Sequence, residues 1–196
     1  MAKLYYQGHG SFRITAANGT VIYVDPFMGG GYEPAADWVL VSHEHHDHNK
    51  LELLTMKDST RVLRAADMLH DGVYSTVEAE GIKVQAVPAY NKNHKKEDCV
   101  GFLLWVDGLG IYCAGDTSKT DYMAEMAALK LDYTLLPMDG KYNMNVAEAM
   151  DCAALIGAKH NIPIHMAPGK DFDMEIAKSY QPAGQLIVEP GQEIEL

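Results

Sequence analysis

The most constraining feature of this sequence is an apolar strand that runs directly into a dense group of histidines. Residues 38–41 read Trp-Val-Leu-Val, a run typical of a fully buried strand. Four histidines and an aspartate follow within residues 43–48. Buried imidazoles need partners for both ring nitrogens, so folding alone gives little reason to crowd them together. Metal ligation does give a reason, because imidazole and carboxylate are ligands shared by zinc, iron, manganese and nickel.

The spacing of this motif, His-x-His-x-Asp-His, divides its donors into two groups. Residues two apart in an extended segment point the same way, so His43 and His45 can converge on one metal ion. Asp47 and His48 come as the backbone turns, and they can face a second ion. His46 occupies a spacer position, where we expect it to support the site or to face solvent. The alternative, a solvated histidine-rich loop, is disfavoured by candidate ligands later in the chain.

Length and charge narrow the class of protein. The 196 residues are enough for one domain, 1–196, with a sizeable core. The net charge of -11 disfavours nucleic-acid and membrane partners, which need basic patches. We therefore expect a small-molecule substrate, which can still be anionic because bound metal ions would be the largest local charges. A homo-oligomer is one possibility.

Cellular location is suggested by what the N-terminus and the cysteines look like. The first residues lack the apolar core of a signal peptide, and no apolar run approaches membrane-spanning length. The three cysteines are odd in number and unclustered, which is typical of reduced thiols rather than of a disulfide framework. These features predict a cytoplasmic protein.

Strand patterns dominate the first two thirds of the chain, and the last third alternates helix and strand. The Asn18-Gly19 pair predicts a tight hairpin, since both central residues of that turn favour positive φ. Apolar spacing in residues 49–56 predicts a helix directly after the histidine motif. The last third is expected to contain these elements: strand Tyr133–Pro137, helix Val146–Ile156, strand 161–164, helix 173–180 and strand 185–189. Two packed sheets with helices on their outer faces fit this order.

Three later residues share a position with His43, because each follows the end of a predicted strand. They are His94, Asp116 and His165. Strand ends gathered at one edge would bring them together. Each has an alternative: a solvent-exposed histidine for His94, a turn residue for Asp116, and a hydrogen-bonded core histidine for His165.

Two residues near the N-terminus each fit more than one role in this pattern. Asp25 is equally compatible with a cap or turn and with a carboxylate that orients a ligand histidine. His9, between two glycines, is expected to be a hydrogen-bonded turn residue or to support the site rather than to bind metal.

In the order of its motifs along the sequence, the chain resembles the metallo-β-lactamase superfamily of metal-dependent hydrolases. The markers are Gly8-His9-Gly10-Ser11, Asp25-Pro26-Phe27, the histidine motif, Gly115-Asp116-Thr117 and His165 after a late strand. Within the superfamily it resembles the small bacterial branch of L-ascorbate-6-phosphate lactonase-like proteins. The resemblance covers nearly the whole chain and implies an α+β fold: a four-layer αβ/βα sandwich of two mixed β-sheets with helices on the outer faces.

The resemblance also implies a ligand set for two divalent metal ions, with zinc preferred over manganese, iron or nickel. His43, His45 and His94 would bind the first ion. Asp47, His48 and His165 would bind the second, and Asp116 would bridge the two. In many relatives the third histidine comes directly after its strand, where this chain has Asn91.

Such a centre predicts a binuclear hydrolase in which a metal-bridging hydroxide attacks a small ester, lactone or phosphodiester. Asp47 or Asp116 would then move a proton. Lys141 and Tyr142 follow a strand and are expected to face the substrate, whereas Lys92, Lys95 and Lys96 are as compatible with a solvated loop. The alternatives on the same fold are a di-iron redox protein and a non-catalytic metal-binding or regulatory protein.

Overall fold

Two six-stranded β-sheets form the centre of the computed structural model, which describes all residues from Met1 to Leu196. The first sheet has the order β14-β1-β2-β3-β4-β5, and its strands are β1 (Lys3–Gly8), β2 (Ser11–Thr15), β3 (Val21–Val24), β4 (Ala36–Val41), β5 (Met56–Arg64) and β14 (Glu193–Glu195). The second has the order β13-β12-β11-β10-β9-β8, and its strands are β8 (Thr76–Ala79), β9 (Ile82–Pro88), β10 (Val100–Val106), β11 (Leu109–Cys113), β12 (Tyr133–Pro137) and β13 (His160–Ile164). A small hairpin, β6 (Leu69–His70) with β7 (Val73–Tyr74), lies apart from both sheets.

Both sheets are mixed, as predicted, and their parallel strands determine where polar side chains gather. In the first sheet, β3, β4 and β5 run parallel, and in the second, β11, β12 and β13 do. Neighbouring parallel strands end at the same edge of a sheet. The two sheets meet at this edge, where the N–H of Val100 donates to the carbonyl of Ser42 across 3.0 Å.

Alternation along the strands fills the space between the sheets. A cluster of 28 buried residues draws side chains from both, including Tyr6 and Trp38 from the first sheet and Phe102 and Leu104 from the second. Leu103 points to the opposite face of β10 and packs into a second cluster with the helices. Strand β10 is therefore buried on both faces, which explains its continuous apolar sequence.

Helices cover the outer face of the second sheet. The main one is α3 (Val146–Ile156), and the others are α2 (Tyr122–Met126) and α4 (Met174–Ser179), whereas the short helix α1 (Ala65–Met68) directs Ala65 and Met68 into the cluster between the sheets. Helix α3 has the predicted bounds. Asn145 accepts the N–H of Glu148 at its start, a cap that contributes about 1 kcal/mol, and Gly157 ends it with φ +68°. None of the helices has the length and apolarity needed to cross a membrane.

The outer layer of the first sheet is thin, and here the structure corrects a prediction. Residues 49–56 form only the 3-10 helix Leu51–Leu53, and β5 begins at Met56. Leu51 and Leu54 already pack against the small outer cluster around Tyr23 and Val39, so a single turn covers their apolar surface. The four-layer architecture is present, with this turn as the helical cover on that side.

The final strand also lies elsewhere than predicted. Residues 185–189 make only one isolated bridge, between Gln185 and Asn161. The chain then crosses to the other sheet, where Glu193–Glu195 pairs antiparallel with β1. The apolar run does not form a strand, because Val188 is buried between the sheets without pairing to a neighbouring strand.

Candidate metal centre

All seven residues predicted as ligands lie together at the edge where the two sheets meet. His43 follows β4, Asp116 follows β11, His165 follows β13, and His94 lies in the loop after β9. The close approach depends on Gly115, which has φ +61° and lies where a Cβ would be 2.7 Å from the Cβ of Ser42. A larger residue there would separate the Asp116 loop from the end of β4.

One half of the site consists of His43, His45 and His94, whose nearest donor atoms all lie within 4.8 Å of one another. The Ser42 hydroxyl donates to Asp25 and lies 3.0 Å from Nδ1 of His43, so it can accept that ring's hydrogen. Nδ1 of His94 is 2.9 Å from Oδ1 of Asn91. Both contacts leave Nε2 free to bind a cation.

The other half contains Asp47, His48 and His165, joined by His9 within the same 4.8 Å limit. Carboxylates stand behind two of its rings. Nδ1 of His48 is 2.9 Å from Oδ2 of Asp25, and Nδ1 of His165 is 3.1 Å from Oδ2 of Asp139. Both histidines again direct Nε2 into the site.

Asp116 lies between the halves, with one carboxylate oxygen toward each. Its Oδ1 is 3.4 Å from Nε2 of His48 and 3.5 Å from Nε2 of His165. Its Oδ2 is 3.3 Å from Nε2 of His94. The side chain is only 4% exposed, so the carboxylate is shielded from solvent as well as shared.

Four buried donor atoms that point into the centre have no hydrogen-bond partner in the protein. They are Nε2 of His43, Nε2 of His48, Oδ1 of Asp116 and Nε2 of His165. Each unsatisfied buried polar atom costs about 1–3 kcal/mol, and such groups are rare in folded proteins. Divalent cations would satisfy all four, so the residues present fit metal ions.

The two halves also differ in electrostatics. Burial, reinforced by the neighbouring His48, lowers the pKa of His43 to about 2. Burial likewise lowers the pKa of His94. For His48, burial acts in the same direction but the carboxylates of Asp116 and Asp25 outweigh it and raise the pKa to about 9. For His165, burial alone would lower the pKa, but the carboxylates of Asp116 and Asp139 outweigh it and raise the pKa.

The Asp116 carboxylate stays ionised in this setting. Burial alone would raise its pKa, but the nearby His48 and His165 lower it to about 2. The shared carboxylate is thus ready to bind a cation at any physiological pH.

Two supporting roles, those of Asp139 and Asn91, were missed in the sequence, whereas His9 was expected to support the site. Asp139 follows β12 just as Asp116 follows β11, so the same strand-end reasoning applies to it. Asn91 lies in the loop after β9, and its side-chain oxygen holds His94. His9 lies nearer the centre than expected, with Nε2 3.4 Å from Oδ2 of Asp47 and Nδ1 3.0 Å from the carbonyl of Lys170.

The ambiguity at Asp25 is resolved by its contacts. The carboxylate accepts the N–H and hydroxyl of Ser42, each across 2.7 Å, and holds His48. Asp25, His9 and His165 all have left-handed backbone conformations, with φ of +45°, +55° and +45°. Strained non-glycine residues of this kind cluster at functional sites.

A cavity of about 520 Å³ opens onto the centre. Of the two residues expected to face the substrate, Tyr142 is part of its wall and Lys141 is not. The Lys141 ammonium lies over the Tyr142 ring, 4.7 Å from the ring centroid. His46 also borders the cavity but directs an 86% exposed side chain to solvent, as its spacer position predicted.

Known proteins share this fold over the whole chain. The family model described as "Beta-lactamase superfamily domain" matches residues 3–165. A metal-dependent hydrolase from Methanoregula boonei is 34% identical over 182 residues, covering 83% of this chain and 81% of that protein. Another, from Pyrococcus furiosus, is 28% identical over the full length of both.

A solved structure agrees with these relatives in fold. The metallo hydrolase Igni18 from Ignicoccus hospitalis has a TM-score of 0.78 at 21% identity and covers 98% of this chain and 97% of its own. Fold, ligand geometry and sequence relatives therefore converge, and the chain belongs to the metallo-β-lactamase superfamily, in the UPF0173 family of metal-dependent hydrolases.

Proposed function

We propose that this enzyme is a binuclear metal-dependent hydrolase acting on a small ester, lactone or phosphodiester. The observation that carries the proposal is the set of four unpartnered, buried donor atoms at the centre, one on Asp116 and three on histidines of the two halves. The sequence resemblance to the ascorbate-6-phosphate lactonase-like branch supports lactones as one substrate class.

Each proposed ion has its own ligands in this arrangement. His43, His45 and His94 would hold one, and Asp47, His48 and His165 the other, with Asp116 on both and zinc as the preferred metal. Bound ions would supply Lewis acidity and lower the pKa of a shared water, so that hydroxide is available near neutral pH.

Asp47 is the better placed of the two aspartates for moving a proton. It borders the cavity with a side chain 24% exposed, compared with 4% for Asp116. The contact with His9 holds one of its oxygens in place. We therefore assign proton transfer to Asp47 and the bridging position to Asp116.

The cysteines offer no competing nucleophile. All three are free and buried. Burial raises the pKa of Cys99 and of Cys152 to about 12, and that of Cys113 further, so none is a thiolate at neutral pH. Free thiols also support our proposal that the enzyme works in the cytoplasm.

Metal analysis and an ester or lactone assay test this function together. Protein purified without chelator and reconstituted with zinc should hold about two equivalents by elemental analysis, and EDTA should abolish hydrolysis until zinc is restored. Folded protein that holds no metal after reconstitution would contradict the proposal. Iron loading followed by visible spectroscopy and an oxygen-consumption assay separates hydrolysis from di-iron redox chemistry.

A further inference from the structure

The wall of the cavity beyond the donor residues carries no lysine or arginine. Its remaining residues are Phe27, His46, Asn93, Tyr142, Pro168 and Gly169. At about 520 Å³, the space suits a small molecule. Anionic substrates are usually recognised by arginine or lysine, and this wall offers neither.

The metal centre would have no net positive charge to attract an anion. Four carboxylates lie at the centre or directly behind it: Asp25, Asp47, Asp116 and Asp139. Two divalent cations would at most balance these charges, and a single cation would leave the site negative.

Nearby lysines pack against the wall or line other depressions, and none of them borders this space. The Lys141 ammonium lies over the ring of Tyr142 and that of Lys50 lies over Phe27, at 4.7 and 4.4 Å from the ring centroids, yet neither lysine borders the cavity. Lys95 lines a neighbouring depression together with Glu44, Glu97 and Asp98, where acids outnumber it. Lys141, which the sequence predicts to face the substrate, therefore supplies no cation to the cavity wall.

Tyr142 is held in place although its side chain is largely open to solvent. Its N–H donates to Oδ1 of Asp139 across 2.7 Å, and its carbonyl accepts from the side-chain amide of Asn91 across 2.9 Å. These are the residues that orient His165 and His94. The backbone of Tyr142 is therefore fixed relative to both halves of the centre, and its side chain, 42% exposed, extends from this fixed point.

Phe27 provides a second aromatic surface. Its ring packs against His9 and His46, with centroids 5.3 and 5.8 Å apart. Its backbone N–H donates to the hydroxyl of Tyr32 across 3.2 Å, which anchors the segment. The cavity thus presents two positioned aromatic rings and the uncharged side chain of Asn93.

We propose that the substrate is uncharged outside its reacting ester or lactone group, and that it packs an apolar group of ring size against Phe27 and Tyr142. This inference rests on the proposed hydrolase function and narrows its substrate class. Aromatic contact would supply affinity and orientation, and the absence of a cation in the wall would disfavour substrates with a carboxylate or phosphate tail.

A matched pair of amides tests the inference by binding alone. 4-Nitrobutyranilide is neutral, whereas 4-nitrosuccinanilic acid has a similar length and ends in a carboxylate. By calorimetry on zinc-loaded protein, we expect the neutral amide to bind at least about tenfold more tightly. Equal or tighter binding of the acid would overturn the inference.

Variants connect that preference to the aromatic wall. Tyr142→Ala and Phe27→Leu should each weaken binding of the neutral amide, by about tenfold and about threefold, without loss of bound zinc. Val73→Ala removes an apolar side chain that is 67% exposed on the remote β6–β7 hairpin, and it should change nothing. Unchanged affinity in both wall variants would also overturn the inference.

The corresponding esters keep the two proposals separable. 4-Nitrophenyl butyrate should be hydrolysed with a higher kcat/KM than mono-4-nitrophenyl succinate, in proportion to the amide affinities. Selective binding of the neutral amide without hydrolysis of either ester would support the pocket inference and contradict an ester-hydrolysing function. Faster hydrolysis of mono-4-nitrophenyl succinate would support the hydrolase function and contradict the pocket inference.

Discussion

The two halves of the metal centre use the same ligand chemistry but are held from behind by different groups. Neutral partners orient the half formed by His43, His45 and His94: the Ser42 hydroxyl and the Asn91 amide oxygen. Carboxylates orient the half formed by Asp47, His48 and His165, with Asp25 behind one ring and Asp139 behind another.

This difference predicts unequal affinities for metal. A carboxylate behind a ligand histidine makes the ring more basic and fixes its orientation, and removal of such a partner typically costs about 10- to 100-fold in metal affinity or activity. We expect the carboxylate-backed half to hold its ion more tightly near pH 9 and the neutral-backed half to lose its ion first to a chelator. Four predictions test this comparison.

The largest effect is expected where the halves share a residue. Asp116→Asn removes the charge that faces both, so the loss of hydrolysis should exceed about 100-fold, beyond the usual effect of an orienting partner. Elemental analysis should show fewer than two zinc equivalents. His46→Ala, in the same motif but pointing to solvent, should keep the full zinc content. An Asp116→Asn enzyme that binds two ions and has normal turnover would contradict the bridging position of Asp116.

Asp25→Asn should weaken the carboxylate-backed half more than the other half, which Asp25 supports only through the Ser42 hydroxyl. Loss of the carboxylate behind His48 is expected to lower the affinity for one ion by about 10- to 100-fold. Stepwise zinc titration against a competing chelator would measure the two affinities separately. Equal weakening of both ions would show that the halves are not independent.

The halves should respond differently to pH. In metal-free protein the pKa of His48 is about 9, so below that pH a metal ion must displace its proton. Apparent affinity at the carboxylate-backed half should therefore fall as pH is lowered, by up to about tenfold per unit. His43, with a pKa of about 2, has no such proton to lose between pH 6 and 9. Parallel pH profiles for the two ions would contradict this difference.

A smaller effect is expected when the neutral-backed half is given a carboxylate. Asn91→Asp places a negative charge 2.9 Å from Nδ1 of His94, where the native residue has an amide oxygen. In the native protein, burial lowers the pKa of His94. The added charge should raise that pKa and strengthen binding of the first ion by about threefold. NMR titration of the metal-free variant would follow the ring directly. An unchanged titration would mean that the partner behind a ring matters little here.

Residues at strand ends were the part of the site most open to sequence reasoning. His43, Asp116 and His165 each come after an apolar run, and parallel strands bring such positions to one edge. Groups that orient a ligand leave a weaker signal. Asp139 reads as part of a turn before Gly140, and only the fold shows that its second oxygen reaches His165.

The fold was predicted better than its boundaries. Alternating apolar residues specified strands such as β9, a continuous apolar run specified β10, and the apolar stripe specified α3, because these patterns extend over several residues or repeats. Residues 49–56 are too short for the same test: a 3-10 turn that leads into a strand and a short helix give similar apolar spacing. The terminal strand, Glu193–Glu195, is three residues long with a half-buried centre, and carries little pattern of its own.

The register of the three parallel strands has a consequence for how this chain can change in length. Cys113 pairs with Leu135, and Pro137 pairs with Ile164, just before Asp116, Asp139 and His165 leave the sheet. One residue inserted within β11, β12 or β13 would turn the following side chain to the opposite face and disconnect it from the centre. The same insertion in the turn at Asp107, at the far end of β10 and β11, would leave that geometry alone. Insertions and deletions should therefore be tolerated at the Asp107 end of the sandwich. At the end that carries the metal centre, they should disrupt the site.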